Sequence, residues 1–388
     1  MNGYDCIVVG GGMVGAAAAL SLAELGLHVV VVEKSVSDAF DETAPYDLRV
    51  SAISLGSQFL LEQLDAWHEI VNKRVAPYSR LGVWEEEISY AEFNANELNQ
   101  PYLGHIVENR LIQLSLWEKL KAHSRVTIKC PQKVCTLTNT EHQVTLALEN
   151  EELNAKLLIA ADGAHSNVRQ MTGIGVTGWQ YGQSAMLIHV ETELAQQNIT
   201  WQQFRPSGPV AMLPLQGNQA SLVWYHHAKE IERLNGLSND ALTKEVMQSF
   251  PKRLGRIKVL NKGSFPLARQ HANQYVQQRV VLLGDAAHTI NPLAGQGVNL
   301  GFKDVSALRN VLGDAIGNNK SWYSEEVLMR YQKVRKQDNL MMMSAMDSFY
   351  CTFSNNFLPM KIARNIGLFA ANRAGGLKRK ALAYACGI

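Results

Sequence analysis

The chain begins with two short apolar runs on either side of a segment with helical spacing. Residues 4–9 (YDCIVV) and 28–33 (HVVVVE) have the continuous apolar character of buried parallel strands. Residues 13–25 between them are rich in alanine and leucine, as expected of a helix. The pattern predicts a βαβ unit at the start of the sequence.

The spacing of apolar residues from 105 to 161 predicts one further helix and three strands. The helix is predicted at 105–122, and the strands at 125–130, 143–148 and 156–161.

From about residue 181 to 270 the pattern changes to longer alternating segments, such as VAMLPL and SLVWYHH. The pair Gly217-Asn218, which is typical of a hairpin turn, separates these two segments. This region is therefore predicted to be an antiparallel sheet.

The order of these patterns predicts a discontinuous domain. RVVLL at 279–283 is again typical of a buried strand, a helix begins near Gly297, and residues beyond about 325 are predicted to be helical. We expect a mixed α/β (α+β) fold in which an antiparallel-sheet domain is inserted into a Rossmann-like domain. The predicted ranges are 1–70, 100–180 and 271–325 for the Rossmann-like domain, 71–99 and 181–270 for the inserted domain, and 326–388 for a helical C-terminal region.

The turn after the first strand carries a GxGxxG motif made by Gly10, Gly12 and Gly15. Gly10 permits a tight turn, Gly12 lets the backbone approach a pyrophosphate, and Gly15 allows helix and strand to pack closely. The helix N-terminus offers free N–H groups and partial positive charge to phosphates. Glu33, at the end of the second strand, can bind both ribose hydroxyls and would repel a 2′-phosphate, which favours FAD or NAD over NADP as the tightly held nucleotide.

A second motif, DGAHSNVR, runs from Asp162 to Arg169 after the predicted strand KLLIA. Taken alone, it is best interpreted as a strand-to-turn junction in which Asp162 caps the next segment.

A third motif, GDAAH, follows the predicted strand RVVLL and places Asp285 at its carboxyl end. There the carboxylate can accept a hydrogen bond from a sugar-alcohol hydroxyl. The turn from Gly295 to Gly297 then opens a helix whose N-terminus would stabilise negative charge on a reduced flavin.

Composition and charge narrow the class of protein. Hydrophobic residues make up 46% of the 388-residue chain and charged residues 19%, an ordinary globular balance, and the net charge of +2 gives no indication of nucleic-acid binding. Five cysteines without a CxxC pair fit a reducing cytoplasm, and neither a signal peptide nor a membrane-spanning run is predicted. We predict no metal site, because the adjacent His226 and His227 would point to opposite faces of a strand.

In this order and spacing, the motifs GxGxxG…E, DGxxSxxR and GDAAH…P…GQGxN resemble those of the class A flavoprotein monooxygenases. The segment NPLAGQGVNLGFKD is similar to the signature of the ubiquinone-biosynthesis hydroxylases, in the form found in their demethoxyubiquinol-hydroxylating branch. That family usually has histidine where this chain has Asn291, so no catalytic role is assigned there. Further matching segments, which extend the resemblance over essentially the full length, are DLRVSAIS, GIGVTGWQYGQSAMLI, TWQQFRPSGP, SLVWY and FSNN.

The resemblance implies a Rossmann-like FAD-binding domain with an inserted substrate domain. It assigns the ADP half of FAD to the glycine turn and Glu33, and the ribityl-pyrophosphate region to Asp285. It places the GQGVN turn beside the isoalloxazine, and it associates the DGxxSxxR motif with both FAD and pyridine nucleotide. The cofactor-binding residues expected are Gly10, Gly12, Gly15, Glu33, Arg49, Arg110, Asp162, Arg169, Asp285, Pro292, Gly295, Gly297 and Asn299.

The activity implied is hydroxylation of a polyprenylated quinol ring by FAD and O2, with NADPH or NADH as a transient reductant. The alternatives left open are another ring hydroxylation of the same pathway and a non-catalytic FAD-bound subunit of a biosynthetic complex. A flavin halogenase is disfavoured because no WxWxIP run occurs, and a plain NAD dehydrogenase would leave GDAAH…GQGVN without a role. No residue is identifiable from the sequence as a catalytic base.

The C-terminal tail has an unusual charge. After Asp347 there are six basic residues and no acidic one, which gives the tail a charge of +6. Because the whole chain has a net charge of +2, the residues up to Asp347 carry −4. Apolar residues lie between these cations. We expect a cytoplasmic protein whose tail contacts the inner membrane face peripherally or binds a partner of a biosynthetic complex.

Overall fold

Two large β-sheets and a group of C-terminal helices form most of the protein in the computed structural model. The structure describes residues 3–290 and 297–388, and for residues 180 and 181 it describes the backbone alone. The strands are β1 (Tyr4–Val9), β2 (Val29–Val32), β3 (Val50–Ser54), β4 (Val75–Tyr78), β5 (Arg80–Trp84), β6 (Ala91–Asn94), β7 (Gly104–Glu108), β8 (Val126–Lys129), β9 (Val134–Asn139), β10 (Val144–Leu148), β11 (Glu152–Ala160), β12 (Val176–Thr192), β13 (Ile199–Gln203), β14 (Val210–Pro214), β15 (Gln219–His227), β16 (Ile257–Ala272), β17 (Val276–Gln277), β18 (Val280–Leu282) and β19 (His288–Thr289). The helices are α1 (Met13–Glu24), α2 (Leu55–Gln63), α3 (Trp67–Val71), α4 (Asn109–Ala122), α5 (Asn167–Met171), α6 (Ala228–Asn235), α7 (Asn239–Ser249), α8 (Gly297–Gly317), α9 (Glu325–Phe353), α10 (Leu358–Asn372) and α11 (Gly376–Cys386). Short 3-10 segments lie at Glu87–Ser89, Ala95–Leu98, Lys252–Leu254 and Gly284–Ala286.

The first sheet contains the predicted βαβ unit. Its strand order is β17-β18-β11-β1-β2-β8, and the neighbours from β18 to β8 run parallel. Helix α1 packs against this sheet, α4 and α8. Its run of buried alanines, from Ala16 to Ala19, fits this position because small side chains let neighbouring elements approach closely.

The second sheet is the predicted antiparallel one, in the order β19-β16-β12-β15-β14-β13-β5-β6. One of its faces packs under α6 and α7. The hairpin at Gly217-Asn218 joins β14 to β15, with Gly217 at φ +76°, as predicted. The mixed α/β fold class is thereby confirmed.

Strands β12 and β16 are long and pair along most of their length, with a register shift between Gln180 and Ser184. Strand β12 begins at Val176, inside the range predicted for the Rossmann-like domain, because this pairing extends beyond the body of the second sheet. The predicted domain boundaries remain a prediction.

The helix predicted at 105–122 is wrong at its beginning. Residues Gly104–Glu108 form β7, the central strand of a three-stranded sheet with β3 and β4, and the helix starts at Asn109. All five residues of β7 are buried. Their pairing on both sides determines a strand, although the apolar spacing also suits a helix.

The C-terminal region is helical, as predicted. Helix α9 packs on α8 beside the first sheet, and α10 contacts β6 and the 3-10 segment at Glu87–Ser89. Among the helices that are described, none is both long and apolar enough to cross a membrane.

Candidate active site

Three turns meet at the carboxyl edge of the first sheet. Strand β11 lies between β1 and β18, and all three run parallel, so their following turns share this edge. A Cβ atom added at Gly10, which has φ +103°, would lie 2.3 Å from the carbonyl oxygen of Ala161. One added at Gly15 would lie 1.9 Å from the carbonyl oxygen of Gly10. The first two motifs are thus in direct contact.

Val14 of α1 contacts the third motif at the same edge of the first sheet. A Cβ at Gly301 of α8 would lie 2.5 Å from a Val14 methyl carbon, and one at Gly284 would lie 3.3 Å from the other methyl. The small residues of the third motif therefore allow α8 and the GDAAH turn to pack on the first turn of α1.

The glycine turn is open only at Gly12. A Cβ there would meet no atom of residues 3–290 or 297–388 within 4 Å, and the backbone of Gly12 is extended (φ −66°, ψ 179°). No side chain caps the N-terminus of α1 at Gly12. A pyrophosphate contact at the Gly12 backbone stays a prediction.

Two residues of α4 that sequence reasoning missed hold this turn. Trp117 Nε1 donates to the Gly11 carbonyl oxygen (2.6 Å), and Gln113 Nε2 donates to the same oxygen (2.9 Å). Gly11 is itself confined, because a Cβ there would lie 2.6 Å from the Trp117 ring. Nothing local in the sequence marks Trp117 and Gln113, which lie about a hundred positions beyond the turn.

Glu33 lies at the end of β2, beside the glycine turn. Its Oε2 accepts from Gly11 N–H (2.6 Å), and its Oε1 accepts from Ser35 N–H (3.0 Å). The carboxylate is therefore held in a fixed position next to the N-terminus of α1, and its contact with a ribose stays a prediction.

Asp162 and Arg169 connect the second motif to its surroundings. Asp162 Oδ2 accepts from Val168 N–H (3.2 Å), as the capping interpretation predicts, whereas its buried Oδ1 has no hydrogen-bond partner in the part of the chain that is described. The buried Arg169 donates to the carbonyl oxygens of Ala286 (2.8 Å) and Ala164 (2.9 Å). Arg169 thus ties the second motif to the GDAAH turn.

Asp285 and Arg49 are brought together at the third turn. The Asp285 side chain is exposed, yet desolvation by the surrounding protein raises the pKa of its carboxyl, against the opposing charges of His288 and Arg49. The residue before Arg49 approaches the second sheet, since a Cβ at Gly263 would lie 2.9 Å from Leu48 Cδ1.

A buried ion network lies behind the GDAAH turn. Asp304 Oδ2 accepts from His288 Nε2 (2.6 Å) and from Gly284 N–H (2.9 Å), and Asp304 Oδ1 accepts from Arg335 Nε (2.8 Å). Burial alone would raise the pKa of Asp304, but His288 and Arg335 outweigh it and hold that pKa at about 2. The ionised carboxylate fixes both ends of the turn.

The network extends to the C-terminal helices. Arg335 also donates to Asn339 Oδ1 (2.6 Å) and to Asp338, whose other oxygen accepts from the Tyr384 hydroxyl (2.6 Å). Asn339 Nδ2 in turn donates to the Tyr275 hydroxyl (3.2 Å). The GDAAH turn is thereby linked through α9 to α11.

The other predicted site residues are distributed as follows. Gly297 begins α8, and among the described residues no atom lies within 4 Å of where its Cβ would be. The buried Asn299 side chain accepts from Ser57 (2.7 Å) and donates to the Ala52 carbonyl oxygen (2.8 Å), so it links α8 to α2 and β3. Any cofactor contact through the Asn299 side chain stays a prediction. Pro292 and Gly295 lie outside the described residues.

Arg110, predicted to contact flavin, forms a two-pronged ion pair with Asp47. Next to it, Glu108 accepts from Asp47 N–H (2.8 Å) and from Arg74 (3.1 Å). The charge of Arg110 is thus already paired, and a flavin contact through it stays a prediction.

FAD fits this edge of the sheet on three observations. Among the described residues, none comes within 4 Å of a Cβ at Gly12, none donates to the buried Asp162 Oδ1, and no side chain caps the N-terminus of α1. Together these provide a cradle for a phosphate and an acceptor beside it.

Comparison with known proteins agrees with this geometry. A family model described as an FAD binding domain matches residues 3–343. The 3-demethoxyubiquinol 3-hydroxylase of Escherichia coli (strain K12) is 50% identical, with 99% of this chain and 98% of that protein covered. The mitochondrial ubiquinone biosynthesis monooxygenase COQ6 of Danio rerio is 36% identical over 98% of this chain and 89% of its own length. The chain belongs to the class A FAD-dependent monooxygenases.

Solved structures of this class A monooxygenase fold are similar over almost the whole chain. The p-nitrophenol 4-monooxygenase PnpA of Pseudomonas putida superposes with a TM-score of 0.78 at 20% identity, covering 99% of this chain and 96% of that one. PqsL of Pseudomonas aeruginosa gives a TM-score of 0.78 at 21% identity, covering 95% and 100%. At these identities the likeness bears on the fold alone.

In this class A monooxygenase, the second sheet turns its other face away from α6 and α7. That face, which we call the apolar face, is formed by Ala185, Ala211, Val223, Tyr225 and Leu267. Burial raises the pKa of the Tyr225 hydroxyl above its ordinary value. In the part of the chain that is described, no cluster of three or more His, Cys, Asp or Glu side chains could hold a metal ion.

Proposed function

We propose that this FAD-dependent monooxygenase hydroxylates the ring of a demethoxyubiquinol-type, polyprenylated quinol. In the overall reaction a ring C–H becomes C–OH with one atom of O2. The other atom leaves as water, and NADPH or NADH supplies the two electrons as a transient reductant.

The observation that carries the proposal is the 50% identity with the E. coli 3-demethoxyubiquinol 3-hydroxylase over 99% of this chain. That likeness spans the cofactor edge and the second sheet alike. A ubiquinone hydroxylase from Rhodospirillum rubrum, UbiL, is 34% identical over the same share of the chain, which supports the quinol class of substrate.

The residues of the cofactor edge are assigned roles by their positions. The backbone at Gly12 and the N-terminus of α1 would hold the pyrophosphate, and Glu33 would accept from ribose hydroxyls. Asp285 would accept from a ribityl hydroxyl, with Arg49 beside it. The N-terminus of α8 at Gly297 would stabilise negative charge on the isoalloxazine. FAD, when bound, supplies the reduction of O2 and the transfer of one oxygen atom.

The second sheet is proposed to bind the substrate, within the ranges 71–99 and 181–270. The five side chains of its apolar face are buried, so a ring admitted beside them would be shielded from water, which the chemistry requires. Leu48 and Arg49 lie between this sheet and the GDAAH turn, so a ring held on the apolar face would lie near the cofactor.

Mass spectrometry of quinones in cells that lack the protein tests this function. We expect them to accumulate a polyprenylated quinone that is short of one ring oxygen, and expect the wild-type gene to restore the complete quinone. Accumulation of an intermediate from a different hydroxylation step would assign the protein to that step. Unchanged quinones would contradict the proposal, as would restoration by a variant that holds no FAD.

The C-terminal surface supports a peripheral membrane location. Side chains of α10 that were expected to alternate with the basic residues are exposed: Leu358 by 65%, Ile362 by 53% and Ile366 by 61%. At 100° per residue, these positions form one stripe along the helix. Such a stripe suits insertion at the edge of a bilayer.

The basic residues contribute less than the sequence suggests. Lys361 pairs with Glu86, Arg364 is buried against Glu85, and Lys378 pairs with Glu97. The exposed Arg373, Arg379 and Lys380 also belong to this tail. Each basic side chain near an anionic leaflet contributes about 1 kcal/mol, so binding should depend on both the apolar stripe and these cations.

A liposome flotation assay decides the location. Wild type is expected to float with anionic liposomes at low salt and less at high salt. The combined change Arg373→Glu, Arg379→Glu and Lys380→Glu should abolish this response and leave the FAD content intact, whereas Lys258→Glu on the second sheet should not. Failure of wild type to float at any salt concentration would show that the stripe serves another purpose.

A further inference from the structure

Two polar side chains, His189 and Ser221, lie on the side of the second sheet that carries the apolar face. They are register partners on β12 and β15. His189 is four residues from Ala185 and Ser221 is four residues from Tyr225, so both side chains project on the same side as these members of the apolar face. We call His189 and Ser221 the polar pair. Cross-strand partners have Cβ atoms about 5 Å apart, so one small group could contact both side chains.

Both members of the polar pair are buried, His189 being 2% exposed and Ser221 0%. In the described part of the chain, neither His189 Nε2 nor Ser221 Oγ has a hydrogen-bond partner. A buried polar atom without a partner costs folding free energy, and native proteins usually supply a partner for it. Two such atoms on adjacent strands therefore indicate a place for a polar group of a ligand.

The His189 ring is neutral and can accept a hydrogen bond. Burial lowers its pKa to about 4, although the backbone of Tyr46 and the charge of Asp47 act to raise it. Since the Tyr46 backbone stabilises a ring proton and Nε2 has no partner among the described residues, we place the proton of the neutral ring on Nδ1. Nε2 is then an acceptor, and the Ser221 hydroxyl can donate. A ligand hydroxyl, which both donates and accepts, would satisfy the two atoms together.

The sheet surface beside the polar pair is accessible. Leu187, two residues before His189 on β12, is half-buried and packs against the apolar face. Leu213, the register partner of Ser221 on β14, is also half-buried and packs against the same face. A ring lying on these two leucines would have apolar contact along its plane and the polar pair at its edge.

Residues 46–49 connect the polar pair with the cofactor edge. At one end of this segment, the Tyr46 ring lies edge-on to the His189 ring, with centroids 6.3 Å apart. At the other end, the charge of Arg49 acts on the Asp285 carboxyl. The three steps from residue 46 to residue 49 span at most about 11 Å of chain. A ring held at the polar pair would therefore lie close to the cofactor edge.

His105 of β7 is a useful contrast to His189. It is 6% exposed, and its Nδ1 has no hydrogen-bond partner among the described residues. The rings of Trp67 and Tyr102 lie edge-on to it, with centroids 5.0 and 4.3 Å away. His105 is thus packed by aromatic rings, whereas His189 adjoins half-buried leucines. His105 therefore serves as the matched control for a change at His189.

We propose that the polar pair binds one ring hydroxyl of the quinol substrate, which donates to His189 Nε2 and accepts from Ser221 Oγ. This inference rests on the proposed function, because it takes the ligand to be a quinol. A quinone has carbonyl oxygens in place of the hydroxyls, so it can accept from Ser221 but cannot donate to His189. The polar pair should therefore favour the quinol over the quinone.

Three variants separate this contact from a general effect on folding. His189→Phe removes the acceptor and keeps a planar ring, and His105→Phe makes the same change at the control position. Each replaces a buried ring that has an unpaired nitrogen by a ring without one, so both variants should fold and hold FAD. His189→Gln places a side-chain oxygen near the position of Nε2, so it tests whether an acceptor restores the contact.

The first measurement is equilibrium binding of a short-chain demethoxyubiquinol, and of the quinone with the same ring and chain, to the FAD-loaded protein without O2. We expect wild type and His105→Phe to bind the quinol about ten-fold more tightly than the quinone, and His189→Phe to bind both equally. His189→Gln should recover a preference of about three-fold. A ten-fold preference retained in His189→Phe, or no preference in wild type, would overturn the proposal, as would an equal loss in His105→Phe.

The second measurement is turnover of the same quinol with O2 and NADPH or NADH. We expect His189→Phe to raise KM about ten-fold and to leave kcat within about two-fold of wild type. An unchanged KM in His189→Phe would overturn the assignment of the polar pair and leave the proposed function intact. If wild type hydroxylated no quinol but showed the binding preference, the proposed function would fail and the polar pair would remain a quinol-binding site.

Discussion

Two turns at the cofactor edge, the glycine turn and the GDAAH turn, are held in place by different interactions. The glycine turn after β1 is held by backbone contacts too close for any side chain, at Gly10 and Gly15, together with the hydrogen bonds from α4. The GDAAH turn after β18 is held by the buried charges of Asp304 and Arg335 together with His288. The first turn depends on the absence of side chains, and the second depends on their charges.

Because of this difference, the two turns should lose their stabilisation under different conditions. Steric contact between backbone atoms hardly depends on pH, whereas a buried charge loses its stabilisation when a partner is removed or a proton is gained. The following variants are ordered by the size of the effect expected, and each tests one side of this contrast.

The largest effect is expected from Arg335→Met, which removes one partner of the buried Asp304 carboxylate and keeps a side chain of similar length. An uncompensated buried charge costs about 3–5 kcal/mol of folding free energy. Chemical denaturation should show this loss, and FAD affinity should fall because the GDAAH turn is no longer fixed. Arg330→Met, on an exposed face of the same helix, should change the stability by less than about 0.5 kcal/mol. Equal stabilities for the two variants would show that the network does not hold the turn.

The second effect concerns pH and His271, which lies behind the GDAAH turn, 2.9 Å from the Tyr275 hydroxyl. Burial, and then the nearby His288, Lys336 and Arg269, lower the pKa of His271 to about 4. The unfolded chain binds this proton near pH 6.5, so stability contributed by neutral His271 is lost as pH falls from about 6.5 to 4, by up to about 3 kcal/mol.

The variant His271→Gln isolates this contribution from those of other buried histidines. Denaturation curves measured between pH 7 and pH 4 should show the variant losing less stability than wild type. Parallel pH profiles for the two proteins would mean that His271 does not titrate in this range.

Gly15→Ala tests the steric contacts of the glycine turn and should destabilise the folded protein. The added methyl would lie 1.9 Å from the Gly10 carbonyl oxygen, so strand and helix must separate, at a cost of about 1–3 kcal/mol. The matched control is Gly317→Ala at the end of α8, where a Cβ meets nothing within 4 Å. A thermal-unfolding midpoint that is lowered equally in both would contradict the steric account, whereas a pH-independent loss in Gly15→Ala alone would sharpen the contrast.

The smallest effect on folding is expected for Gly12→Val. Its side chain would enter free space, and its extended backbone suits any residue, so stability should match that of wild type. FAD affinity should nevertheless fall by about ten-fold or more, because the pyrophosphate can no longer approach the backbone. Fluorescence titration of the apoprotein with FAD measures this, and an unchanged dissociation constant would remove Gly12 from the site.

Local patterns in the sequence predicted the first of these two turns well. Strand β1, helix α1, strand β2 and the glycine positions lie within one short segment, and each is determined by neighbours in the chain. The hairpin at Gly217-Asn218 was predicted correctly for the same reason.

Features that depend on distant contacts were missed. The partners of Asp304 include Arg335, which is 31 positions away, and the Tyr275 hydroxyl joins the network through Asn339. Lys361 and Lys378 looked like free surface charges, but they pair with glutamates that precede them by more than 270 positions. Neither periodicity nor spacing shows such pairings, because they arise only when the two sheets and the C-terminal helices pack together.

The central claim is that this protein transfers one oxygen atom from O2 to a quinol ring through bound FAD. The most direct test is turnover of a short-chain demethoxyubiquinol by the purified FAD-loaded protein, with NADPH or NADH, under isotopically labelled O2. We predict a product heavier by one labelled oxygen atom, formed by wild type and lost with Gly12→Val in proportion to its FAD content. A protein that binds FAD and consumes labelled O2 but leaves the ring unlabelled would contradict the account.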